Sequence, residues 1–204
     1  MKKLVLSFLV LLLFVVSTTY APAPATAATK YDFKNVNWGM TVNQVKKKEK
    51  SKLLDTTKIK DISLLEYKTT GFRVNAKLVY IFYKNKLVRA VYEIYPNDSS
   101  KTTMDKYYKY FSIKRDLLDE YDGSINFKDG LTPGGKRVLY DSEDVEKDLV
   151  TGAIALESNW VIDKKKTSIS LMLARVTDAV RLRVIYTDYN LKYDLDELID
   201  AQKY

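Results

Sequence analysis

From residue 72 to residue 83 apolar and polar side chains alternate almost without a break. Phe72, Val74, Ala76, Leu78, Tyr80 and Phe82 fall on one side, and Arg73, Asn75, Lys77, Val79, Ile81 and Tyr83 on the other. A period of two places successive side chains on opposite faces of a strand, so the pattern predicts a strand over 72–83. A shorter strand is predicted before it, over Leu64 to Thr69. Lys84-Asn85-Lys86 turns the chain into a third, Leu87 to Tyr95, with Val88, Ala90, Tyr92 and Ile94 inward and Pro96 as its stop.

Elsewhere the period lengthens to that of a helix. Thr41-Val42-Asn43-Gln44 has the form of a capping box, with Val42 and Val45 inward and a basic run to Lys50. Asp98 to Ser100 cap a longer helix, about Lys101 to Tyr121, in which Met104, Tyr108, Phe111 and Leu118 form the apolar stripe. Ile125 to Lys136, which holds Asp129-Gly130 and Pro133-Gly134-Gly135, reads as a loop. A second series then begins. Ser142 opens a short acidic helix to about Thr151, and strands follow over Ile154–Ile162, Ser168–Ala174 and Ala179–Thr187. A terminal helix from Asp194 carries Leu195, Leu198 and Ile199.

The order is helix, three strands, helix, and then the same again. Each strand set has one apolar face that helices must cover, which predicts an α+β fold with antiparallel sheet, built as one domain over 28–204 or as two packed halves at about 33–122 and 138–204. The opposite face of the first hairpin is also apolar in part. A freely solvated face is normally polar, so Val79, Ile81, Tyr83, Val91 and Tyr95 either lie under a second layer or form a patch that binds a partner. They are the candidate partner-binding residues.

The first 27 residues stand apart. Lys2 and Lys3 precede a nearly unbroken apolar run from Leu4 to Val16, and Ala25-Thr26-Ala27 puts small residues where a signal peptidase reads them. This is the form of a cleaved secretory signal, with Ala25 and Ala27 at the cleavage site and an apolar core shorter than the ~20 residues of a spanning helix. The expected product is secreted, free or associated with the cell wall. The full chain has 34 Lys and Arg against 26 Asp and Glu; without Lys2 and Lys3 the balance is 32 against 26, or +6. That surplus suits solubility and also suits an anionic cell-wall polymer.

Composition removes several chemistries. There is no histidine and no cysteine, hence no Ser-His or Cys-His nucleophile, no histidine metal ligand and no disulfide. No cofactor is expected. Two carboxylate clusters, Asp116, Asp119, Glu120 and Asp122, then Asp141, Glu143, Asp144, Glu146 and Asp148, leave a carboxylate-based hydrolase as a minor alternative. Their spacing is not that of a calcium loop. Pro133-Gly134-Gly135 with Lys136 and Arg137 reads as a turn. In Lys106-Tyr107-Tyr108-Lys109-Tyr110-Phe111, Tyr108 and Phe111 are expected in the core and Lys106 and Lys109 in water, so no nucleic-acid partner is expected.

The most specific string is Trp38-Gly39-Met40-Thr41, with Gln44 and Val45 behind it and Phe33 and Val36 ahead. It resembles the opening of uncharacterised secreted bacterial proteins with a Trp-Gly-Met-Ser/Thr motif. It is also similar to the helix starts of the SmpA/OmlA outer-membrane assembly lipoproteins and of the β-lactamase inhibitory proteins. The Lys46-Lys47-Lys48-Glu49-Lys50 run departs from those families, and no anchoring cysteine is present. The resemblance implies a helix-plus-sheet module that acts by binding. Together these features point to an exported non-enzymatic protein-binding module of unknown partner, the alternatives being a cell-wall polymer binder and the hydrolase.

Overall fold

A computed structural model describes residues 31–96, 98–121, 128–130, 142–162, 166–188 and 190. Among these residues the helices are α1 (Val42–Lys48), α2 (Thr103–Glu120) and α3 (Ser142–Thr151). The strands are β1 (Lys52–Ile59), β2 (Ile62–Gly71), β3 (Val74–Tyr83), β4 (Lys86–Ile94), β5 (Lys128–Gly130), β6 (Leu156–Ile162), β7 (Thr167–Val176) and β8 (Ala179–Asp188). The described residues belong to one compact unit. The α+β class is as expected, but the strands join a single antiparallel sheet in the order β1-β2-β3-β4-β8-β7-β6-β5. The two strand series therefore meet through their last strands, with Val91 opposite Ile185 and Tyr92 opposite Val184.

One face of the sheet carries the main core. Leu78, Tyr80 and Phe82 of β3, Ala90, Tyr92 and Ile94 of β4, Trp160 of β6, Leu171 of β7 and Leu182, Val184 and Tyr186 of β8 lie there, nearly all without solvent contact. Val45 of α1, Tyr110, Ile113 and Leu117 of α2, and Val145 and Leu149 of α3 close it from above. Helices α2 and α3 pack over β7 and β8.

The differences from the sequence reading each have a physical cause. Strand β1 was not expected, because its residues are exposed along nearly the whole length and its sequence has no apolar alternation to betray it. Strand β5 lies inside the expected 125–136 loop and pairs with β6. Phe72 and Arg73 are a turn rather than the start of a strand. Both have positive φ (51° and 64°), a conformation for which neither residue is a signal. The register shifts between Ile81 and Phe82, so that Phe82 faces Leu87 while Ile81 faces Arg89. This bulge turns Val88 to the far side, where it joins the second cluster instead of the main core. The N-cap of α2 is Thr102, which exchanges hydrogen bonds with Asp105; Asp98 instead accepts from Ser100.

The stripe of α2 is also rotated. Tyr110, Ile113 and Leu117 face the core, whereas Tyr108 is 64% exposed and Phe111 and Leu118 are also exposed. Lys106, expected in water, is half-buried and donates to the Val180 carbonyl oxygen at 2.9 Å. The signal segment, the Pro133–Arg137 turn and the terminal helix from Asp194 lie outside the described residues.

Candidate functional site

The Trp-Gly-Met-Thr string acts as a clamp. Gly39 adopts φ +79°, which a side chain would strain. This lets its N–H donate to the Leu87 carbonyl at 2.9 Å while the Leu87 N–H donates to the Met40 carbonyl at 2.8 Å. The Trp38 indole N–H donates to Thr167 Oγ1 on β7 at 2.9 Å, and its backbone N–H donates to Asp32 at 3.0 Å. The Thr41–Gln44 capping box forms as expected. Val45 is fully buried. The motif residues thus fasten the entry segment to β4 of the first strand series and β7 of the second, and their role in this fold is structural.

Glu49 caps the far end of α1 and is 9% exposed. Its carboxylate accepts from the Tyr80 hydroxyl at 2.7 Å, from the N–H groups of Lys50 and Ser51 at 2.9 Å each, and from Lys34 Nζ at 3.2 Å. Burial alone would raise its pKa. The hydrogen bonds from Tyr80 and Ser51 and the charge of Lys34 outweigh burial and hold it down at about 2. Burial and the same carboxylate push the Tyr80 hydroxyl far above its ordinary range, so it remains a donor. Every partner of this carboxylate is satisfied within the fold, and the group serves structure.

The expected partner-binding residues divide. Ile81 and Val91 are 2% and 7% exposed and form a second apolar cluster with Ile62, Leu64 and Val88, against which Val79, Tyr83 and Ile185 are half-buried. Tyr95 does not belong to this set. Its φ of +52° breaks the alternation after β4 and packs the ring against the main core. Ile81 and Val91 therefore offer little surface for a partner, while Val79 and Tyr83 keep a partly open edge. Beside them runs a row of charges. Glu93 is contacted by Arg181 at 2.6 Å and Lys77 at 3.3 Å, and Lys77 also reaches Glu66 at 3.3 Å. Burial raises the Glu93 pKa, but Lys77, Arg183 and Arg181 bring it below the usual carboxylate range.

Sequence reasoning missed Arg89. It lies on this same face, 8% exposed, with Nε donating to Thr187 Oγ1 at 3.1 Å; no carboxylate among the described residues pairs with it. Burial lowers its pKa without removing its charge. The only sign of it in the sequence is a lone arginine inside the otherwise apolar run Leu87 to Ala90.

The outward stripe of α2 is the other surface of note. Met104, Tyr108, Phe111, Arg115 and Leu118 recur at helical spacing on the side away from the core. Tyr107 packs edge-on against both Tyr108 (5.6 Å between centroids) and Phe111 (5.0 Å), and Tyr110 against Phe111 at 5.3 Å. The exposed rings are thus held in place from beneath.

The carboxylate clusters do not form a site among the described residues. Asp116 pairs with Arg73 at 3.2 Å, and no described group of three acidic residues could hold a metal ion. Two shallow grooves, of about 440 and 300 Å³, meet at Asp98 and Ser99 and are lined by neither cluster. No described helix is long and apolar enough to cross a membrane. Comparison with protein-family models, with curated proteins and with solved structures found no match.

Proposed function

We propose that this chain is an exported, non-enzymatic protein-binding module and that the outward stripe of α2 is its contact surface. The observation that carries the proposal is the exposure of Tyr108, Phe111 and Leu118 on successive turns of one helix, with Arg115 among them. Tyrosine and arginine anchor interfaces disproportionately, because each buries a large surface and keeps polar groups for the rim. Scattered apolar residues on a surface need no explanation; a ring pair fixed by Tyr107 and Tyr110 is a preorganised anchor that loses little entropy on binding. Lys109, Lys114 and Arg115 flank the rings, so the fitting partner is a protein surface with an apolar hollow and acidic surroundings. Export is supported by the N-terminal segment, and a binding role by the resemblance of the Trp38–Thr41 opening to secreted and inhibitory modules.

The test is capture of partners from the cell surface of the source with the exported chain, followed by repetition with Tyr108→Ser and Phe111→Ser combined. Loss of about 2 kcal/mol of affinity, a hot-spot magnitude, with an unchanged unfolding midpoint is the expected result. Affinity that survives the double change but collapses between low and moderate salt would replace this reading with the anionic-polymer one.

A further inference from the structure

Among the described residues β1 pairs with β2 alone and ends the sheet. An open edge is a template for a further strand, and proteins block it with lysines and bulges. Both devices are present here: Lys52 and Lys58 lie on β1, and its register shifts between Leu53 and Asp55. The edge is thus closed to strand addition. Yet Leu53 is 41% exposed and Leu54 51%, so two consecutive leucines stand in water on a strand that buries almost nothing. A lone exposed leucine needs no explanation; the surroundings of this pair do.

The charge beside the leucines is of one sign. Lys46, Lys47 and Lys48 form the last turn of α1, and Lys50 and Lys52 carry the run into β1. Glu49, the one acid among them, is turned inward and held by Tyr80, Ser51 and Lys34. What is left at the surface is basic: Lys46, Lys47, Lys50 and Lys52 are exposed. Lys68 of β2 is exposed too and lies directly opposite Lys52, an arrangement in which like charges repel. Lys77, next in the same row, is neutralised by Glu66 and Glu93. No carboxylate among the described residues pairs with Lys52 or Lys68. The nearest exposed acid, Asp55, accepts from Thr57. The helix dipole favours lysines in the last turn of α1, which accounts for Lys46 to Lys48 but not for Lys50, Lys52 and Lys68. Leu54 and Lys68 line one groove, so the apolar and the cationic groups share a surface.

We propose that the junction of α1 and β1 is a contact surface for an anionic phospholipid bilayer, with Leu53 and Leu54 entering it and the lysines around them on the headgroups. Reversible attachment to a bilayer takes two signals, a small apolar insertion and a polybasic patch, and this junction holds both. A soluble polyanion would engage the lysines and leave the leucines in water, so the leucines decide between the two. Helix α2 packs over β7 and β8, and three strands lie between β1 and β8. The inference therefore stands apart from the α2 contact surface.

The test is co-sedimentation of the exported chain, which lacks the apolar run Leu4 to Val16, with vesicles of phosphatidylcholine mixed with phosphatidylglycerol and with phosphatidylcholine alone. Binding is expected to the first and not to the second. Lys50→Gln with Lys52→Gln should weaken it by about fivefold per lysine. Leu53→Ser with Leu54→Ser should weaken it about tenfold, with an unchanged unfolding midpoint and unchanged binding to soluble polyphosphate. A leucine variant that holds the vesicles as tightly as the parent would overturn the proposal in favour of a polyanion site, and no binding to the anionic vesicles would overturn it outright. A second measurement locates the contact. The chain has no cysteine, so Leu54→Cys can carry a polarity-sensitive dye, with the exposed Lys147→Cys of α3 as control. The dye at position 54 should shift to the blue on anionic vesicles and the dye at 147 should not. A shift at both positions, or at neither, would overturn the placement.

Discussion

Replacing Glu49 with glutamine tests the account of how the N-terminal elements are locked to the sheet. The carboxylate receives donors from Lys34 before α1, from Lys50 and Ser51 after it and from Tyr80 on β3. Glu49→Gln keeps the shape and removes the charge. The folded pKa of about 2 against an ordinary value of 4.5 corresponds, at about 1.4 kcal/mol per unit, to roughly 3 kcal/mol. Partial screening by solvent reduces this to about 2 kcal/mol at neutral pH. The sign follows from the depressed pKa: the contribution is present in full above the unfolded value and fades as pH falls from about 4.5 towards 2. For a domain of this size 2 kcal/mol is a fall of roughly 4–8 °C in Tm. Denaturant midpoints of the two chains should be measured from pH 7 down to pH 2.5. The expected gap is widest at neutral pH and closes in acid. A gap that stays constant with pH would show that the glutamine merely packs badly, and no gap at any pH would refute the argument that this carboxylate holds the elements together.

Other substitutions probe separate joints. Thr41→Ala removes the hydroxyl that receives the Gln44 N–H and should lower stability by about 1 kcal/mol, read as a shift of the denaturant midpoint without change of slope. Trp38→Phe keeps a ring beside Phe33 but loses the indole N–H that reaches Thr167; about 1 kcal/mol should go, and an unmoved midpoint would deny that bond any part in the clamp. Gly71→Ala would set a methyl 2.9 Å from Cδ1 of Tyr92, a ring already packed against Phe33 and Phe72. With nowhere for the ring to go, the change should cost about 1–3 kcal/mol, and a chain of unchanged Tm would show that the ring yields.

What the sequence revealed follows from how strongly each element is patterned. Strands β3, β7 and β8 alternate because one face is fully buried, and their inward residues, Leu78, Tyr80, Phe82, Leu171, Leu182 and Val184, were legible one by one. The sheet edge was not. Lys52 to Ile59 pairs on one side only and buries almost nothing, so its sequence is free of the constraint that makes a strand readable. Helix α2 was legible as a helix but not in phase. Met104-Tyr108-Phe111-Leu118 and Tyr110-Ile113-Leu117 are both apolar at helical spacing; the choice between them is made by tertiary contact, including the Tyr110 hydroxyl 2.7 Å from Ser158 Oγ on β6. The same ambiguity hides the proposed contact surface, since apolar spacing alone places its residues in the core.

The way the two series join explains why the opening motif reaches across them. Strands β4 and β8 would each be an exposed, apolar edge if the series folded alone, a liability that invites aggregation. Pairing them removes both edges and makes the inner face continuous, so that Tyr92 and Tyr186 stand 6.3 Å apart across the join with Phe33 against both. The charge row on the other face crosses the same join, through Glu93 of β4 and Arg181 of β8. Phe33 and Trp38, which come before either series, seal the join from the side: one ring covers the tyrosine pair, and the other hydrogen-bonds to β7. A helix cap alone would need Gly39, Thr41 and Gln44 but neither aromatic. The spacing of Phe33 and Trp38 is thus set by the distance between two strand series that must close as one sheet.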